Sequence, residues 1–273
     1  MTRILATAAV EFRIALRNRW VAIAIAMMAL FSVVLSAAGS APTGALGADR
    51  LSVTVASLTS LAVYLVPLVA LLMSFDGVAG EVERGTLPLL LTYPVTRSEV
   101  LAGKLLAHLG VLGLAVLVGY AIAAAAAIAV EPAAVQGLPA LWRLMWSSAL
   151  LGAAFLCLGY ALSALARRPA GAAGLAIALW LVMIVLYDLG LLAAVVADGG
   201  GWFTTQVFPW LLLANPADAF RLFNLAASEA TAAAAGIGGA ANAIPAWQAL
   251  TSVLAWPLLA LALAVAAFRR VTP

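Results

Sequence analysis

Charge is what this 273-residue chain has least of: 9% of its residues are Asp, Glu, Lys or Arg, against about 25% in soluble domains. Too few polar side chains remain to coat a surface facing water, which excludes an ordinary soluble domain and leaves a bilayer as the solvent. Cysteine is nearly absent as well. The single thiol, Cys157, lies in an apolar run, so no disulfide can form within the chain. There is one histidine, His108, and no tight cluster of carboxylates, which removes the usual materials of a metal site. The net charge of +3 comes from basic residues scattered between apolar segments, not the basic patch of a nucleic-acid binder. Catalytic motifs are missing too. Gly103-Lys104 is followed by Leu105, and Ser98 stands where a phosphate-binding loop needs its first glycine. Neither H-E-x-x-H nor G-x-S-x-G occurs. If ATP drives this protein, another chain must bind it.

What the chain has is apolar length, with 66% hydrophobic residues. A membrane helix needs about 20 of them in a row. Six stretches qualify: Trp20–Ala38, Val53–Phe75, Leu105–Val130, Leu144–Ala166, Ala172–Ala197 and Trp247–Phe268. The first ends in small residues like a cleavage site, but its leader is long and carries Glu11, so it is expected to stay. Basic residues set the direction of threading. With both termini cytoplasmic, eleven basic residues (Arg3, Arg13, Arg17, Arg19, Arg84, Arg97, Lys104, Arg167, Arg168, Arg269 and Arg270) lie inside and three (Arg50, Arg143 and Arg221) outside. The expected fold is therefore all-α: a single polytopic membrane domain over residues 1–273 with six transmembrane helices and both termini inside.

The connection between the second and third spans is polar, "EVERGTLPLLLTYPVTRSEVLAGK" from Glu81 to Lys104. Each charge forced to a bilayer centre costs about 2.5–3.5 kcal/mol, so this segment is an inner loop. Asp76 to Arg84 is expected to continue the second span as a short polar helix, and Gly85 to break it. Thr86 is the expected N-cap of a short helix in which Pro88 falls in the first turn, where its missing N–H costs little. Leu87, Leu89, Leu90 and Leu91 make that helix apolar and exposed, ending near Pro94. "TRSE", Thr96 to Glu99, is a capping box that starts the helix of the third span. A leucine-bearing knob between charged hinges suits a protein groove. An interfacial helix lying on the membrane, or a plain loop, fits equally well.

Elsewhere, residues 3–19 form an expected amphipathic helix on the inner membrane surface, with Arg3, Thr7, Glu11 and Asn18 on one face and Leu5, Ala9, Phe12 and Leu16 on another. The longest hydrophilic gap lies outside, from Asp198 to Pro245. Trp202, Phe203, Phe208 and Trp210 suit an interface. Asn215 is an N-cap candidate with Pro216 at the first helical position. The helix they start is expected to lie on the outer surface, with Ala219, Phe220, Phe223 and Ala227 as its apolar face and Asp218, Arg221 and Glu229 polar, before a glycine-rich break at Gly236 to Gly239. It is either a platform for an outer partner or a loop that shields the span ends. Asp188 is the one acidic residue inside a span, a cost unless hydrated or paired. It is a candidate for a substrate path, with Arg143 as a partner if the helices are adjacent. His108 reads as a packed, hydrogen-bonded histidine, and the scattered Met27, Met28, Met73, Met145 and Met183 as core filling rather than a copper path.

The inner loop resembles the E-x-E-x-G-T-L…P-x-x-R…G-K signature of permeases of the type-two exporter class of ABC transporters, carried by Glu81, Glu83, Gly85, Thr86, Leu87, Pro94, Arg97, Gly103 and Lys104. The resemblance implies that the loop is a coupling helix docking on a separate ATPase, with Glu81, Glu83, Arg84, Gly85, Thr86, Leu87, Leu89, Leu90 and Arg97 at the contact. It implies an N-terminal elbow helix that also touches the ATPase. The outer segment "NPADAFRLFNL" is similar to that of a subgroup serving maturation of nitrous-oxide reductase, through Asn215, Pro216, Asp218, Phe220, Arg221 and Leu222. That likeness implies a homodimer in the bacterial inner membrane, two copies of a cytoplasmic ATPase and a periplasmic β-helical partner, met at Asn215, Pro216, Asp218, Phe220, Arg221 and Phe223. The process implied is assembly of the reductase's copper–sulfur cluster. No cofactor is expected on this chain, ATP and Mg belonging to the ATPase. The alternatives are a membrane scaffold without ATP-driven motion and an exporter permease for another substrate.

Overall fold

The computed structural model describes residues 2–17, 26–27, 30–31, 34, 50–166, 168–226 and 244–271. Among them are helices and turns, and no strand. The expected first span, Trp20–Ala38, falls mostly outside the described residues. So do Asn18, Arg19, Arg167, Ala227, Glu229 and the break at Gly236 to Gly239.

Helix α1 covers Thr2–Arg17 and α2 Arg50–Ser74. Two short helices follow, α3 at Ala79–Glu83 and α4 at Thr86–Thr92. Helix α5 runs Arg97–Val130, and a 3-10 turn at Pro132–Gly137 leads into α6, Leu138–Leu165. Helix α7, Pro169–Asp198, contains a π turn at Leu181–Leu186. Helices α8, Phe203–Ala214, and α9, Pro216–Leu225, form a hairpin, and α10 is Ala246–Arg269. Five of these segments, the ones built on α2, α5, α6, α7 and α10, are long and apolar enough to cross a membrane. The chain is a multi-pass membrane protein.

Helix α6 is the hub, packed on α2, α5 and α10. Its glycines explain the closeness. A Cβ on Gly152 would stand 2.2 Å from a Leu112 methyl of α5, and one on Gly159 would stand 1.9 Å from Ser74 Oγ of α2. Lipid tails are as apolar as leucine, so helices in a bilayer associate through such close packing and through hydrogen bonds. Tyr120 of α5 and Phe155 and Tyr160 of α6 are fully buried in the shared core. Hydroxyls along α2 turn back on their own helix, with Thr59 Oγ1 donating to Val55 O at 2.7 Å and Ser74 Oγ to Ala70 O at 2.7 Å. Pro67 interrupts α2, and Trp180 Nε1 of α7 donates to the neighbouring Tyr64 carbonyl at 3.0 Å. Helix α7 is otherwise peripheral, burying only Ala172, Ala176, Ile184 and Leu191.

The hairpin α8–α9 is inserted against α7 and α10. A helix end leaves its last carbonyls without partners, and here side chains supply them. Tyr187 Oη donates to Leu211 O at 2.8 Å, Ser252 Oγ to Leu213 O at 2.6 Å and Trp256 Nε1 to Ala214 O at 3.2 Å. Asn215 then caps α9, its Oδ1 accepting from Ala217 N at 2.9 Å, while its Nδ2 donates to Met183 O in the π turn at 2.6 Å. The capping residue expected from sequence is the one found. The placement of α9 is not. Instead of resting on a surface, it packs against α2, α6 and α10, and Asp218, Ala219, Phe220, Leu222, Phe223, Asn224 and Leu225 are all buried. Its polar face finds partners within the bundle, as when Asn224 Nδ2 donates to Ser147 Oγ at 2.9 Å, so no surface is needed to hydrate it.

The packing at Gly159 predicts that Gly159→Ala destabilises the protein by about 1–3 kcal/mol through overpacking. A thermal melt in detergent should fall by several degrees. Gly113→Ala, with nothing within 4 Å of the new methyl, should leave the melt where it is or slightly raise it.

Candidate functional site

At the end of the bundle that carries α1, three elements meet on one cation. Lys104 Nζ of α5 lies 2.6 Å from Glu11 Oε1 of α1 and 2.7 Å from Glu81 Oε1 of α3. The lysine side chain is only 5% exposed. An ammonium so deeply placed is tolerated because two carboxylates surround it. Gly103, one residue before, lets α1 come this close: a Cβ there would meet Thr7 at 2.7 Å. Arg3 adds a hydrogen bond from α1 to the Pro94 carbonyl.

The amphipathic pattern of α1 is present: of its expected apolar face Leu5, Ala9 and Leu16 are exposed, while Phe12 packs beside Val111 of α5. The polar stripe of Arg3, Thr7 and Glu11 faces α5 and the loop, while Leu5, Val10, Ile14 and Leu16 point outward. Lipid accepts that face, so the polar one is free to do the pairing.

The loop itself is built from the hub. Ser163 Oγ of α6 accepts from the backbone N–H groups of Val78 at 3.0 Å and Ala79 at 2.9 Å, capping α3 from a distance. Arg84 pairs with Asp76 at 3.1 Å in the open. Gly85 has a left-handed backbone, φ +66°, and is itself the N-cap of α4, so Thr86, the expected cap, becomes its first helical residue. The expected capping box at Thr96 is present, with Glu99 returning to the Thr96 N–H at 2.7 Å.

The leucine cluster is not uniformly exposed. Leu87 is fully buried and Leu90 partly so, whereas Leu89 is 65% exposed. A short helix lying on the bundle cannot present every side, and the Leu87 side faces the core. The Leu91 side chain lies outside the described residues. Of the residues assigned to an ATPase contact, Glu83, Arg84, Gly85, Thr86 and Leu89 are exposed, and Glu81 is drawn into the lysine junction. Arg97 is occupied as well. Its Nη1 donates to carbonyls at and just beyond the end of α10, Phe268 at 2.8 Å, Arg269 at 3.2 Å and Val271 at 2.6 Å, and its guanidinium covers the Phe268 ring. Behind the loop lies a cavity of about 440 Å³ bordered by Glu11, Asp76, Glu81, Arg84, Lys104 and His108.

At the opposite end, α7 meets the hairpin through charge. Arg221 Nη2 donates to Asp188 Oδ2 at 3.2 Å, and Arg221 Nη1 lies 3.5 Å from Asp218 Oδ1. The expected pairing of Asp188 with Arg143 does not form. Arg143 lies over the Phe223 ring, 5.2 Å from its centre, because α9 is wedged in as the neighbour that answers Asp188. Phe220 and Phe223 are packed inside.

His108 donates or accepts through Nδ1 with Tyr160 Oη at 2.5 Å, the packed histidine expected. Met73, Met145 and Met183 pack against the core. Among the described residues no group of three or more His, Cys, Asp or Glu is placed to hold a metal ion.

Sequence reasoning missed the junction of Glu11 with Lys104, although a signal was available. Lys104 is the only lysine in the chain and stands where a helix turns apolar, so it required anionic company. Ser163 gave no signal, since a serine in a membrane helix most often bonds its own backbone.

The description "ABC-2 family transporter protein" matches residues 5–272. Two curated relatives are similar over nearly the whole length. One, from Pseudomonas aeruginosa, is 46% identical over 263 residues, covering 93% of this chain and 94% of the relative, and is called "Probable ABC transporter permease protein NosY". The other, from Stutzerimonas stutzeri, carries the same name and is 43% identical over 260 residues, again 93% and 94% of the two chains.

The junction predicts a strong and reversible effect. Lys104→Met leaves two buried carboxylates without their cation and should cost about 3–5 kcal/mol, read as a large drop in thermal midpoint. Adding Glu11→Gln and Glu81→Gln to that variant removes the uncompensated charge and should recover most of the loss.

Proposed function

Because the chain belongs to the ABC-2 family of transporter proteins, whose ATP hydrolysis resides in a partner subunit, we propose that it is a permease subunit whose α3–α4 loop docks on a cytoplasmic ATPase dimer. The observation that carries this is the Lys104 junction. It fastens the elbow helix and the loop to α5, while Glu83, Thr86 and Leu89 are left facing away from the bundle. A push delivered to Leu89 would therefore be received by α1, α3 and α5 together. The excess of basic residues at this end supports its placement in the cytoplasm of a bacterial inner-membrane protein with both termini inside.

The relatives named NosY support placing the permease in nitrous-oxide reductase maturation, as a homodimer working with a periplasmic β-helical protein in copper–sulfur cluster assembly. The weakly buried α7 is the spanning helix with most surface left to offer a second copy. Few polar side chains line the spans, which favours passing force to the periplasmic partner; if a substrate crosses, a sulfur species is the reading, with Asp188 beside its path. In this reading Asn215, Pro216, Asp218, Phe220, Arg221 and Phe223 serve the outer partner by position, since they fix where the hairpin stands. ATP and Mg bind in the ATPase.

The experiment is co-purification of the tagged permease with its ATPase, with hydrolysis measured in nanodiscs. Leu89→Asp should weaken the association about tenfold or more, equivalent to about 1.4 kcal/mol, and Glu83→Lys should lower coupled hydrolysis. If both variants retain the ATPase and its permease-dependent rate, the loop is not the motor contact, and the membrane-scaffold reading takes its place.

A further inference from the structure

The Asp188–Arg221–Asp218 group contains one more carboxylate than its cation can answer. Asp218 is 3% exposed, and its Oδ2 is buried with no hydrogen-bond donor. Arg221 spends its best contact on Asp188, at 3.2 Å against 3.5 Å for Asp218. A cavity of about 290 Å³ opens beside the three, walled by Leu191, Leu192, Val195, Phe208 and Leu212, and offers Asp218 no further donor. An ionised carboxylate in such a place is expensive, and the usual remedy is to take up a proton.

We infer that Asp218 holds a proton beside the Arg221–Asp188 pair, forming a proton-binding site whose loading governs how α9 is held to α7. With the proton on Asp218, its carboxyl becomes a hydroxyl donor that Asp188 can accept, and the Arg221–Asp188 pair is left balanced. Without it, two carboxylates from two helices compete for one guanidinium, and their repulsion acts along the seam between the hairpin and α7. The site needs no ATPase and does not rest on the motor reading.

Among the described residues, the other charged and titratable groups around α9 do not supply a second answer. From α7, Tyr187 Oη is committed to the Leu211 carbonyl. From α6, Arg143 lies on Phe223, and Arg50 at the start of α2 has an interaction of its own. Helix α8 and the part of α10 that meets α9 bring no charged side chain. Asp218 belongs to α9, outside the spanning helices. Burial, followed by the charge of Asp188 and opposed by Arg221, pushes its carboxyl up to about 7. The sign is fixed by that direction. The folded chain binds the proton more tightly than the unfolded chain, so the stabilisation is complete at acid pH and is lost as pH rises through neutrality.

The test is an infrared titration of the full-length chain in lipid nanodiscs, from about pH 5 to about pH 9, with aspartate carrying ¹³C at its carboxyl. A protonated-carboxyl band from aspartate should fade with a midpoint near neutral and be missing in Asp218→Asn. In parallel, the thermal midpoint of the wild type should fall across that range more steeply than that of Asp218→Asn, since the amide needs no proton. Should Asp218→Asn fail to fold, Asp188→Asn tests the same claim: without the neighbouring charge the band's midpoint should move to lower pH. Absence of any aspartate band above the ordinary carboxylate range, its survival in Asp218→Asn, or an unmoved midpoint in Asp188→Asn would overturn the proton site at Asp218.

Discussion

One buried ammonium organises the end of the molecule where the termini gather. Lys104 is far enough inside the packing that it needs both Glu11 and Glu81, and those two carboxylates come from segments with little other reason to stay put. Helix α1 shows much of its apolar side outward, and α3 is a single turn. Removing a charge from water is costly, and only well-placed counter-charges repay it. The result is a requirement for three-way contact rather than a preference for it. Ser163 and Gly103 serve the same end, one by capping α3 from the hub and the other by clearing room for α1.

The two ends of the bundle treat charge differently. At the Lys104 end there are two anions to one cation, with the cation at the centre and both carboxylates at short range. At the hairpin end the ratio is the same, yet the guanidinium reaches one carboxylate well and the other poorly. An ammonium accepts partners from any direction, whereas a planar guanidinium fixes where they must stand. The first arrangement therefore holds both carboxylates at short range, and the second holds only one of them well.

Much of this was legible in the sequence, and the illegible part has physical causes. Spans, the capping box at Thr96, the break at Gly85 and the cap at Asn215 follow from local rules that read a few neighbouring residues. The inner-loop signature led to the family. Which face of α1 turns inward did not follow, because a helix at a membrane surface has an apolar solvent on one side and a polar protein on the other, so amphipathicity alone does not say which is which. The same ambiguity put α9 on a surface when Phe220 and Phe223 are core. Asp188 called for a cation, but choosing Arg221 over Arg143 required knowing that the hairpin is wedged beside α7. Pairing across a bundle is a matter of who is adjacent, and periodicity carries no record of it.

The manner in which α8 ends has a mechanical meaning. Its final carbonyls hang from a phenol, a hydroxyl and an indole, each able to swivel about its own bonds and follow an oxygen through a small tilt. A backbone ladder has no such slack. The end of α8 is thus slung like a compass in gimbals: its last turn can shift slightly without baring a peptide group to hydrocarbon, while α9 is pinned by Asn215, Arg221 and Asn224.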